Sequence, residues 1–215
     1  MSEKGYELYY WGLSNRGQFI RLIFEELKIP YKYIDDSKIL RKLTRSPRNG
    51  LGNTMLHDNI VYEPMALPFI KKGDFILSQT CVIVGYLANK YGLRPASDDD
   101  FAAANMITNN CNDLLSEFSR VCIPKLPQKE CEYAIERALI WLSILNKALV
   151  NSKNNGYKYY FDDKVTHADT SVYNIVSGIH EIFGNNAFEL LVLNKYPYLK
   201  AHYNNMGKRD AVVKL

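Results

Sequence analysis

The apolar positions of this chain change their period partway along it. Glu7 to Trp11 and Tyr31 to Asp35 are short runs rich in Tyr and Ile, bounded by turn formers or charges, and they predict strands. Between them Phe19, Ile20, Ile23 and Leu27 recur at helical spacing, with Ser14 or Asn15 placed to cap the start and Pro30 to close the end. Strand, helix and strand in that order make a βαβ unit. A basic, irregular segment runs from Asp36 to about Asn53. Two further strands are predicted beyond it, Pro68 to Lys71 and Phe75 to Leu77, joined as a hairpin through Lys72-Gly73-Asp74. Ser78 then caps a helix to about Lys90 whose buried stripe is Val82, Ile83, Tyr86 and Leu87.

From Gly92 to Asp100 breakers and a run of three acids interrupt all periodicity. The expected organisation is one domain over residues 1–92, a linker over 93–100 and a second domain over 101–215. Strand signals vanish downstream. Met106, Ile107, Cys111, Leu114, Leu115, Phe118 and Cys122 mark one long amphipathic helix, and Ala134, Ile135, Ala138, Leu139, Leu142, Leu145 and Leu149 mark another. A third helix is predicted to start at Thr166-His167-Ala168-Asp169, where the Thr166 cap and Asp169 can satisfy each other's free backbone donors, with Val165 as a staple. Shorter helices over Ala187–Leu193 and Tyr198–Met206 complete an all-α half.

Composition narrows the classes. With 215 residues the chain can bury a core without staples, and its four cysteines, Cys81, Cys111, Cys122 and Cys131, form no C-x-x-C pair, which fits a reduced compartment. The net charge of +4 is mild, and its cations are scattered apart from the loop around Arg41, Lys42, Arg45 and Arg48, so nucleic-acid binding is not expected. The opening MSEKGYELYYW has no apolar leader segment, and no later stretch nears the ~20 apolar residues of a membrane span, so the expectation is a cytoplasmic protein without membrane contact. The C-terminal Val213-Lys214-Leu215 departs from the peroxisomal S-K-L address at its first residue. His57, His167, His180 and His202 are dispersed, and no metal site is expected; His167, inside the capping motif, reads as structural.

The motifs and their order resemble the cytosolic glutathione S-transferases over nearly the whole chain. Tyr10-Trp11, followed ten residues on by Ile20-Arg21-Leu22, resembles the opening of the Tyr-dependent classes. Leu67-Pro68-Phe69 resembles the family's cis-proline step, Leu77 to Ile83 its Glu/Gln-Ser/Thr-x-x-Ile motif, and Asp162 to Asp169 its folding motif in the sixth helix. The resemblance implies an α/β thioredoxin-like N-terminal domain that binds glutathione, and an all-α C-terminal domain that contributes a pocket for small hydrophobic electrophiles. It also implies a homodimer and a detoxifying transferase with glutathione as co-substrate. Other functions compatible with the resemblance are a glutathione-dependent isomerase or peroxidase, and a non-catalytic carrier of hydrophobic ligands or interaction module.

Glutathione's thiol resembles free cysteine, with a pKa of ~8.5, and the thiolate is the nucleophile. Lowering that value by about two units takes ~2.7 kcal/mol of preferential stabilisation of the anion, within reach of one or two aimed donors. The resemblance assigns that donor to Tyr10, whose phenol donates without carrying charge. Ser14 is the alternative, since it matches the hydroxyl of the Ser-dependent classes. The Tyr-type members usually show Arg-Gly at positions equivalent to Ser14-Asn15, whereas here Arg16-Gly17 comes two residues later. No cysteine lies between Tyr10 and Gly17, so the thiol exchange of the Cys-type members is not expected.

For the rest of the ligand, Trp11, Ala66, Leu67 and Pro68 fall at the family's peptide-binding positions, where a cis step would let the Leu67 main chain pair with the cysteinyl unit like an added strand. Gln79 and Thr80 open a helix whose free N–H groups suit the γ-glutamyl carboxylate. Asp113 or Glu117 resembles the acids that some members offer across a dimer interface. Trp11 and Trp141 are the chain's two tryptophans, so the Trp the family often uses for the glycyl carboxylate is missing, and Lys42 or Arg45 is left to supply the cation.

Overall fold

A computed structural model describes residues 5–12, 15–44, 64, 66–122, 127–161 and 163–214. Ser14, Arg45 and the side chain of Lys42 lie outside the described positions. The chain divides into two compact units, Met1–Leu87 and Ala88–Leu215.

The first unit is built on strand β1 (Tyr6–Tyr9), helix α1 (Arg16–Glu26) and strand β2 (Tyr31–Ile34), with β1 and β2 parallel. Asn15 caps α1, its Oδ1 accepting from the Arg16 N–H at 2.9 Å. Lys28, at φ 52°, ends the helical turn, and the Ile29 N–H closes on the Phe24 carbonyl. Helix α2 (Ser37–Thr44) stands where the sequence reading expects irregular chain. Asp36 starts it by accepting from the N–H groups of Lys38 and Ile39, and Leu40 and Leu43 bury themselves against Phe69. The cations of this segment obscure that short apolar stripe.

Strands β3 (Phe69–Lys72) and β4 (Phe75–Ser78) form the hairpin, with Gly73 at φ 63° in its turn. The sheet order is β2-β1-β3-β4, and β3 runs antiparallel to β1. Helix α3 (Thr80–Tyr91) follows. Ser78 belongs to β4 and does not cap α3; the turn into the helix is made by Gln79 at φ 72°. Val82, expected in the buried stripe, is 53% exposed, and Val84 takes its place beside Ile83 and Leu87. Phe19, Ile20, Ile23 and Phe24 of α1 and Leu8 and Ile70 of the sheet are likewise buried.

The second unit holds α4 (Asp98–Phe118), α5 (Gln128–Ala148), α6 (His167–Phe188), α7 (Pro197–Met206) and the short α8 (Asp210–Val213). Asp98, Asp99 and Asp100 form the first turn of α4, where the helix dipole favours acids and Ser97 Oγ accepts from the Asp100 N–H. Met106 is 59% exposed, one position off the buried face made by Ala104, Ile107, Cys111, Leu114 and Phe118.

Helix α6 begins with the predicted box. Thr166 donates to Asp169 Oδ2 from its N–H at 2.7 Å and from its hydroxyl at 2.8 Å. Asp169 Oδ1 also accepts from the Tyr160 N–H at 2.8 Å and faces His202 Nε2 at 3.2 Å, with Asp169 and His202 both fully buried. Gly184, at φ 71°, bends the helix near its end.

Candidate functional site

The register of the sheet brings three separate segments to one end. Tyr9 lies opposite Phe69, and Phe69 opposite Ser78. One residue beyond that row, at the same end of the sheet, stand Tyr10 after β1, Pro68 before β3 and Gln79 after β4. The strand-end tyrosine, the Leu67-Pro68 step and the start of α3 therefore leave the sheet side by side.

Tyr10 is buried, and its N–H donates to the Ile34 carbonyl at 3.3 Å. Its ring lies against Gly17 in the first turn of α1. Burial pushes the phenol's pKa above its ordinary value, while the charge and N–H groups of neighbouring Arg16 pull the other way. The net direction is upward, so the group is a neutral O–H donor at pH 7.

Trp11 is half-buried and packs with Leu67 on the cluster of Leu40, Leu43 and Phe69. Its carbonyl accepts from the Tyr33 hydroxyl at 2.5 Å. The Arg21 guanidinium lies over the Tyr33 ring, 4.9 Å from its centre. Burial lifts the Tyr33 pKa to about 12 against the pull of Arg21.

Ala66 is exposed, the Leu67-Pro68 peptide is cis, and Pro68 is buried. Gln79 is exposed and holds a left-handed backbone that non-glycine residues seldom adopt, a kind of strain that clusters at ligand sites. Thr80 is buried as the first residue of α3, and the Gln79 carbonyl accepts from the Ile83 N–H at 2.9 Å.

The remaining sequence candidates belong to the helical unit. Asp113 is exposed on α4. Glu117 is occupied within its own unit, accepting from Arg137 Nε at 2.9 Å, Arg137 Nη2 at 3.0 Å and Trp141 Nε1 at 3.3 Å. The hydrogen bond from Arg137 holds its carboxyl below the ordinary glutamate value.

Three neighbours of Tyr10 escaped the sequence reading. Arg16 and Gly17 were visible there only as a displaced dipeptide, and Tyr33 is one of sixteen tyrosines with nothing local to distinguish it. Among the described residues no group of three or more His, Cys, Asp or Glu is placed to hold a metal ion, and no helix is long and apolar enough to cross a membrane.

A four-stranded mixed sheet with helices, a cis-proline at the head of its third strand and an all-helical unit after it define a thioredoxin-like domain extended by a helical one. Residues 112–214 match a family model described as glutathione S-transferase, C-terminal domain. The glutathione S-transferase of Plasmodium falciparum (isolate 3D7) is 30% identical over 203 residues, covering 91% of this chain and 87% of that protein. Glutathione S-transferase P 1 of Xenopus laevis is 25% identical over 209 residues, covering 97% of this chain and 90% of that protein. Among solved structures, the Pi-class glutathione S-transferase of Onchocerca volvulus matches with a TM-score of 0.75 at 21% identity, over 98% of this chain and 91% of that one. The chain belongs to the glutathione S-transferase family.

Proposed function

We propose that this enzyme binds glutathione at the strand-end site of its first unit and uses the Tyr10 hydroxyl to hold the sulfur as a thiolate, which then adds to small hydrophobic electrophiles. The convergence of Tyr10, Pro68 and Gln79 at one end of the sheet carries this reading. A protonated phenol stabilises an adjacent thiolate and not the neutral thiol, so its hydrogen bond lowers the thiol pKa and raises the reactive fraction at neutral pH. Leu67 supplies main-chain groups for the cysteinyl unit, and the first turn of α3 beside Gln79 and Thr80 faces the γ-glutamyl carboxylate. Trp11 and Ala66 border the peptide, and Lys42 or Arg45 meets the glycyl carboxylate.

The test is the absorbance of the bound thiolate followed against pH. Tyr10→Phe is expected to raise the thiol pKa by about one to two units, at ~1.4 kcal/mol per unit, and to lower kcat/KM for a reactive aryl halide about 10–100-fold at pH 6.5 with glutathione affinity within a few-fold. A Tyr10→Phe enzyme with an unshifted thiol, together with a raised thiol in Ser14→Ala, transfers the role to Ser14.

We further propose a cytoplasmic homodimer. The family resemblance implies it, and Phe75 and Val82 in the first unit and Met106, Ile140 and Ile144 in the second are exposed apolar side chains of the kind such an interface covers. The fold does not impose it, since the similar hookworm protein Na-GST-3 is described as monomeric (TM-score 0.72, 18% identity, 98% of this chain and 95% of that one). Sedimentation at micromolar concentration is expected to give twice the chain mass of 24.8 kDa, and a single-chain mass refutes the dimer. Asp113 would then be the free acid for a partner's glutathione, because Glu117 is held by Arg137.

A further inference from the structure

We propose that Gly17 and Tyr33 are positioning residues that fix the aim of the Tyr10 hydroxyl, an inference that rests on Tyr10 being the sulfur's donor. The contact with Gly17 is too close for any other residue. A Cβ added there would stand 2.4 Å from Tyr10 Cδ1, 2.9 Å from Cγ and 3.1 Å from Cβ. Those atoms are the root of the side chain, so no rotation of a flexible tip relieves the clash. Either the ring leaves its place or the first turn of α1 shifts.

Gly17 has no positive φ to account for it and sits inside a helix, where alanine is ordinarily the better residue. The space taken by the Tyr10 ring is thus the visible reason for a glycine at this position. On the other side, Tyr33 donates to the carbonyl of Trp11, the residue directly after Tyr10. Arg21, stacked over the Tyr33 ring and bonded through Nη1 to Gln18 Oε1 at 3.1 Å, holds that tyrosine in turn. The Tyr10 side chain is fitted against α1 while the main chain is tied to β2, at the Tyr10 N–H through Ile34 and at the Trp11 carbonyl through Tyr33. A displacement of a few tenths of an ångström that tilts the ring at its root grows along the phenol to its oxygen, and a hydrogen bond weakens steeply with misalignment.

The test is a double-mutant cycle read in the pKa of bound glutathione's thiol, with circular dichroism and glutathione affinity confirming a folded enzyme. Gly17→Ala is expected to raise the thiol pKa by about one unit in the wild-type background and to add nothing in the Tyr10→Phe background. A merely structural role moves melting temperature or affinity and leaves the thiol pKa in place. Tyr33→Phe, which keeps the ring and removes one hydrogen bond, is expected to raise the thiol pKa by a smaller amount and guards against a misfolded Gly17→Ala. Equal rises in both backgrounds overturn the proposal, as does an unshifted thiol in folded Gly17→Ala and Tyr33→Phe enzymes when Tyr10→Phe shifts it. Tyr10→Phe without effect refutes the donor role itself, a separate failure. A crystal structure of Gly17→Ala reads the fit with no ligand present, and a Tyr10 ring and a first turn of α1 both found unmoved there overturn the seat.

Discussion

In the proposed role Tyr10 donates only while its phenol keeps its proton, and burial at the end of β1 favours the protonated form. The same burial sets a pH signature. Activity is expected to rise with pH through the bound thiol's pKa and then level off, and in Tyr10→Phe the whole profile moves toward the free thiol's value of ~8.5. A pH series of kcat/KM decides it, since an unmoved profile contradicts the assignment. At this scale the sequence was legible where the chemistry is local. Tyr10 is picked out by the family resemblance, and Gln79 and Thr80 by the helix they open. Gly17 and Tyr33 were hidden because their importance lies in contacts across 7 and 22 residues of chain, which no local pattern encodes. Val82 and Met106 went astray for a related reason: a window of continuous apolar residues fixes the helix but leaves its rotation uncertain by one position.

Helix α6 shows how much one element rests on its first turn. Asp169 takes four donors, from the Thr166 N–H and hydroxyl, the Tyr160 N–H and the His202 ring, all away from water. Removing the carboxylate leaves those groups buried and unmatched. Asp169→Ala is therefore expected to cost about 3–5 kcal/mol of stability, and Thr166→Val, which removes the hydroxyl alone, about 1 kcal/mol, both read from urea unfolding. Similar losses for the two variants would contradict this account. The T-x-x-D box was readable because a cap is a local device, whereas the arrival of His202 from α7 was not. Helix α2 marks the opposite case, since Asp36, Leu40 and Leu43 satisfy the local rules but stand among cations and next to Pro47.

For the whole molecule, pH acts on stability through His167. Its pKa is pushed down to about 4, chiefly by burial, although the Leu93 carbonyl beside Nδ1 pulls it upward. The unfolded ring titrates near 6.5, so between about 6.5 and 4 the unfolded chain binds a proton that the folded one refuses. The contribution is complete above pH 6.5 and is lost as pH falls to about 4, roughly 3 kcal/mol in all. Urea midpoints measured from pH 7 to pH 4 are expected to fall accordingly, and the fall should flatten in His167→Asn; an unaltered slope in that variant refutes the role. The division into two units has an optical consequence. Trp11 lies in the first and Trp141, bonded to Glu117, in the second. Trp141→Phe leaves a fluorophore beside the proposed sulfur position, and Trp11→Phe leaves one amid the Glu117–Arg137 ion pair. Added glutathione should change the emission of the first variant, while in the second Trp141 follows the unfolding of its own unit, so each unit carries its own reporter.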